Sequence, residues 1–186
     1  MPDNRTIHVI AATVFAAAIF GFGCAYGQTD MSTMSAPQSG DGVEATRPTD
    51  VDIWPTVGTT VRMDHDHGTV PWQMRQVQVE PGAYRELVRT GAYPDGAVLA
   101  ATFYSVTLDN TSTPPLYAAD KAVGFVTEVI DRKHPDGRRF YVFAPGAATA
   151  KPLPAGNSCA ACHNAQGSLD GTFAQHYPTI ARFGAK

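Results

Sequence analysis

Cys159-Ala160-Ala161-Cys162-His163 lies close to the end of this 186-residue chain. No other feature limits the fold as strongly. Two thiols three positions apart, with an imidazole beside the second, is the spacing at which a c-type haem is attached. Each thiol adds to one porphyrin vinyl group, and the adjacent histidine becomes the iron's proximal ligand. The fold must then build a haem-sized cleft against its own C-terminal residues. A thioredoxin-like redox pair would need a βαβ pattern, and none precedes the motif. A zinc site drawing on Cys159, Cys162, His163 and His176 has enough ligands, but would leave the long preceding region without a role. Two merely structural cysteines are the third alternative. The reading adopted is one covalent haem c, anchored by Cys159 and Cys162 and ligated by His163.

The N-terminus supports it. Arg5 supplies a short positive region, residues 9–23 are apolar and uncharged, and Ala25-Tyr26-Gly27 offers small residues for cleavage. Residues 1–27 therefore read as a secretory signal peptide. The apolar run is short for a membrane span of about 20 residues. Cys24 offers a lipid anchor as the alternative, the one route to a membrane, although Gly21-Phe22-Gly23 is a poor lipobox. Cleavage after Gly27 leaves both remaining cysteines in the haem motif. That fits a periplasmic protein without a disulfide framework.

Residues 28–50 are rich in Ser, Thr, Pro, Gly and Asp and read as a flexible linker, with a single domain over 51–186. With 14 basic and 17 acidic residues the net charge is −3. No basic stripe is present, so nucleic acid is not an expected partner.

Within the domain, residues 72–79 read as a strand, Pro81 opens a helix, and Gly91 closes it. Tyr93-Pro94-Asp95-Gly96 is a turn. Residues 97–108 form a long strand, 109–116 a loop, and 121–133 the next strand. The turn His134-Pro135-Asp136-Gly137 leads to a return strand over 138–143. A final helix is expected between Ser168 and Ala181, ended or kinked by Pro178. The class is α+β and mainly β: an antiparallel sheet with a few helices, and haem attached near a helical C-terminus. Asp64-His65-Asp66-His67-Gly68 reads as a polar loop rather than a metal site.

Small electron-transfer cytochromes close the sixth iron position with a downstream methionine. Here 23 residues follow His163 and none is Met. Met63 and Met74 read as gap-fillers, and His176 as a surface histidine unless it is a second axial ligand. The iron is therefore expected to be open on its distal side, which points to ligand binding or catalysis rather than pure electron transfer.

The sequence resembles the cytochrome P-460 family, which includes the cytochromes c′-beta. The resemblance rests on GAYRELVRTGAYPDGAVLAATFYSV, GFVTEVIDRK, RRFYVF and LPAGNSCAACHNAQGSLDGTFAQHYPTIAR, and spans roughly residues 60–183. It implies a mostly β fold, a homodimer and high-spin haem on His163. The family's catalytic branch, which oxidises hydroxylamine, carries a lysine cross-linked to the haem, and that position falls on Ala101. Its distal acidic residue falls on Val126. Glu128, two residues on, faces the same side by strand alternation and is the candidate proton acceptor, with Lys121 the nearest lysine. The missing lysine brings the chain closer to the c′-beta branch, with Ala101, Phe103 and Phe125 as an apolar distal wall, or with Arg75 or Arg138 placing a cation or hydrogen-bond donor near the distal face. The expected function is binding a small neutral ligand such as nitric oxide. The alternatives are an enzyme oxidising hydroxylamine or nitric oxide, served by a periplasmic redox partner, and a periplasmic electron-transfer cytochrome.

Overall fold

The computed structural model describes residues 43–63 and 71–184. The leader read over 1–27 with its Cys24, residues 28–42 of the linker and the Asp64–Gly68 run lie outside them. In chain order the strands are β1 (Ala45–Thr46), β2 (Thr56–Met63), β3 (Pro71–Val79), β4 (Val98–Asp109), β5 (Leu116–Ile130), β6 (Arg138–Phe143) and β7 (Thr149–Ala150). The helices are α1 (Pro81–Thr90), α2 (Ser158–Gln166) and α3 (Ala181–Gly184). β2 to β6 pair in sequence order as an antiparallel meander, and β1 pairs with β7 in a separate ribbon. The fold is mainly β and antiparallel, as the residue pattern requires.

Local chemistry explains the elements that were expected. Pro81 occupies the start of α1, and the Glu80 carboxylate accepts from the Gly82 and Ala83 amides, both at 2.7 Å. Gly91 ends the helix in the left-handed region at φ 79°, its N–H donating to the Leu87 carbonyl. α1 buries Ala83 and Leu87. Removing one such leucine from water is worth about 1.5–3 kcal/mol.

Three differences from expectation have physical causes. First, the described fold reaches back before Val51, because Ala45 and Thr46 pair with Ala150 and Thr149. Second, β5 begins at Leu116 rather than 121. β4 and β5 pair out to Asp109 and Leu116, beyond where β3 and β6 reach, so their tip is a two-stranded hairpin. Third, the tail is not one helix. Asp170 and Gly171 adopt φ of 45° and 70°, Leu169 and Thr172 form a bridge, and a 3-10 turn (Ala174–His176) precedes α3. β2, on the sheet edge, has no counterpart in the sequence reading.

The two sheet faces carry separate cores. On one, Val57, Val77, Val79, Leu99 and Ile130 meet α1 and the C-terminal residues Leu169, Ala174, Tyr177 and Ile180. On the other, Ala100, Phe125, Tyr141 and Phe143 meet Trp54 and Ala150. No described helix is long and apolar enough to cross a membrane.

Candidate functional site

The motif lies on α2. The Asn157 side chain caps it, Oδ1 accepting from the Ala160 amide at 3.0 Å. Ala160 is fully buried and seats the helix. Cys159 and Cys162, three apart, share one helix face, and both thiols are free and half-buried. Burial raises the Cys159 thiol above its ordinary pKa, with Cys162 and the Glu128 carboxylate acting in the same direction.

His163 projects from the next position against the sheet. Its ring meets Phe140 of β6 and Phe173 edge-on, with centroids 4.8 Å away in both cases. Behind it lies a buried ion pair. Glu128 is opposite Phe140 and Ile130 is opposite Arg138, so Glu128 and Arg138 are diagonal cross-strand neighbours. Arg138 Nη1 donates to Glu128 Oε1 at 2.5 Å, with side-chain exposures of 6% and 8%. Glu128 Oε2 stands 3.3 Å from His163 Nδ1. That nitrogen is buried and has no aligned hydrogen-bond partner, so the contact is electrostatic at this ring orientation.

From His163 an apolar strip runs along the same sheet face. Ala101 is opposite Val126, which is opposite Val142, and Phe103 is opposite Gly124. All five are half-buried. Gly124 leaves the space beside Phe103 free of a side chain. Val123, next to it, is an extra residue in β5, and such bulges bend a strand. Arg75 is opposite Phe103, its Nε donating to the Thr60 hydroxyl at 3.2 Å.

The structure brings Cys159, Cys162, His163, Ala101 and Phe103 to one side of the sheet and separates Phe125 from them. Phe125 is opposite Thr102, so strand alternation turns it to the other face. There it packs on Phe143 at 5.5 Å beneath the Arg47 guanidinium. It cannot share a wall with Phe103, which corrects that expectation. Glu128 does face the same side as Val126, but its two oxygens address Arg138 and His163, not an open pocket. Lys121 is exposed on the hairpin, and the exposed His176 stacks on Phe173. Among the described residues no group of His, Cys, Asp and Glu is placed to hold a metal ion by itself, so the four-ligand zinc alternative lacks its geometry.

These residues fit a haem c. Two free thiols on one helix face can form the thioethers, and the half-buried apolar strip matches the flat face of a porphyrin. The buried Nδ1 of His163, with a carboxylate oxygen 3.3 Å away, suits an imidazole whose other nitrogen serves a metal. Phe140 and Phe173 were not singled out by the sequence reading, and Arg138, named there as a cation for the distal face, pairs instead with Glu128 behind His163. That pairing was visible in principle, because the turn at His134–Gly137 fixes the β5–β6 register and so the diagonal pair.

A family model described as Cytochrome P460 matches residues 48–174, more than half of the chain. No curated protein matches it.

Proposed function

The chain belongs to the cytochrome P460 family, a haem-binding cytochrome family, and from that premise we propose that it is an exported, single-haem protein that binds a small neutral ligand such as nitric oxide. Cys159 and Cys162 hold the haem covalently and His163 ligates its iron. When bound, the haem would supply an iron to which a small neutral ligand could bind.

The observation that carries the reading is the strip beside His163. Its side chains from Ala101, Phe103, Val126 and Val142 are apolar, and β4 has no lysine. Such a surface offers no group to share a proton with a substrate. It also disfavours charged ligands, since burying an unpaired charge costs several kcal/mol. Arg75 is the polar residue closest in register to Phe103 and is the donor available to a bound ligand at the strip's far end. The missing lysine favours the c′-beta branch. Glu128 does not serve as a substrate's proton acceptor, because Arg138 and His163 engage it. Periplasmic location follows from the leader, and a homodimer follows from the resemblance.

The test is the optical spectrum of the purified protein, ferric and ferrous, before and after nitric oxide. An ordinary high-spin c-type spectrum that changes on nitric oxide addition supports the reading. A strongly red-shifted ferrous Soret band, or low-spin spectra in both states, overturns it. Replacing both Cys159 and Cys162 by alanine should abolish covalent haem, read as haem stain lost from the denatured chain.

A further inference from the structure

A histidine that gives Nε2 to a metal keeps its proton on Nδ1, and that N–H needs an acceptor. In this chain Nδ1 is buried, so water does not serve it. Phe140 and Phe173 flank the ring and offer no oxygen. The carboxylate oxygen Oε2 of Glu128 stands 3.3 Å away. Its sibling Oε1 is fixed by Arg138 Nη1 at 2.5 Å, so the carboxylate cannot swing off. Arg138 is itself confined, since its guanidinium lies directly against Gly171, where any Cβ would collide with it.

We propose that Glu128 is a positioning residue for the iron's proximal ligand, accepting the Nδ1–H of His163, with Arg138 setting its place and its charge. The proposal rests on the assignment of His163 as haem ligand and not on the identity of the ligand bound. A small rotation of the imidazole aligns the N–H with Oε2. A carboxylate attracts that proton more strongly than a backbone carbonyl does. The imidazole then donates more strongly to iron and favours the oxidised state, the usual effect of a carboxylate behind a ligating histidine. Arg138 moderates the effect by drawing on the same carboxylate. The β5–β6 register thereby sets the iron's potential from outside the haem pocket.

The experiment compares holo wild type, Glu128→Gln and the double variant Glu128→Gln/Arg138→Met, without added ligand. The double variant removes the cation that Glu128→Gln leaves unpaired, and so covers a folding failure of the single one. Two readouts are taken: the reduction potential, and the iron–histidine stretching frequency of the ferrous form by resonance Raman. The expected result is a roughly tenfold shift of the oxidised-to-reduced ratio toward the reduced form at fixed poise, about 59 mV for one electron. A lower stretching frequency accompanies it. Haem-loaded variants with the wild-type potential and frequency overturn the proposal, even if they are less stable. Failure of wild type to bind nitric oxide removes the preceding reading and leaves this test intact.

Discussion

At the scale of single residues, the site depends on positions where one atom more would be too many. Gly171 is the clearest. Its φ of 70° lies in the left-handed region, and a side chain there would meet the Arg138 guanidinium. Gly171→Ala should therefore cost about 1–3 kcal/mol, from backbone strain plus displacement of the ion pair. Urea unfolding checks it: the midpoint falls while the slope is unchanged. Gly58 is a second such position, lying under the Tyr177 ring with no room for a Cβ. The sequence shows both glycines but not their neighbours, which come from distant parts of the chain. The grouping of Cys159, Cys162 and His163 was legible because it is local, all three lying on the one short helix α2. The Glu128–Arg138–His163 contact was not, because it joins two strands and a helix. Phe125 was misplaced by one step of strand parity: Ala101 opposite Val126 puts Phe125 on the reverse face.

At the scale of elements, the turns carried most of what could be read. Pro94-Asp95-Gly96 and Pro135-Asp136-Gly137 both place glycine at positive φ, 81° and 72°, and they fixed the starts of β4 and β6. β2 escaped because it is a threonine-rich edge strand whose buried Val57 and Gly58 are defined by contacts with the C-terminal segment. The β5–β6 turn also has an electrostatic tie. Asp131 accepts from the Arg139 guanidinium at 2.7 Å and from the Lys133 and His134 amides. Chiefly through Arg139, its carboxyl is held below the ordinary value of 3.8. A depressed pKa stabilises the fold above the unfolded value and loses that contribution as pH falls through the folded one. Asp131→Asn should cost about 0.5–1 kcal/mol at pH 7. The difference from wild type should shrink as pH drops below 3.8, measured by urea midpoints across an acid series.

At the scale of the whole molecule, two cores back one sheet, and the apolar strip beside His163 lies on the face where the C-terminal segment packs. Ala101, Phe103, Val126 and Val142 are only half-buried by the polypeptide, so a haem bound against them would complete that face. A group bound to the native state alone stabilises it. Protein made without haem attachment should fold to the same strand content by circular dichroism, yet melt several degrees lower than the haem-loaded form. Equal melting temperatures would show that the strip is not covered by haem. The order of the strands along the chain carries a further consequence for biogenesis. The five-stranded sheet ends at Phe143 and the ribbon partner of Ala45 is Ala150, whereas the first haem cysteine is residue 159. As the chain emerges from its N-terminus, every partner of every strand is present before either thiol appears. Haem attachment at those thiols would therefore come after the last strand partner, yet before Leu169, Tyr177 and Ile180, which fill one of the two cores, have been added.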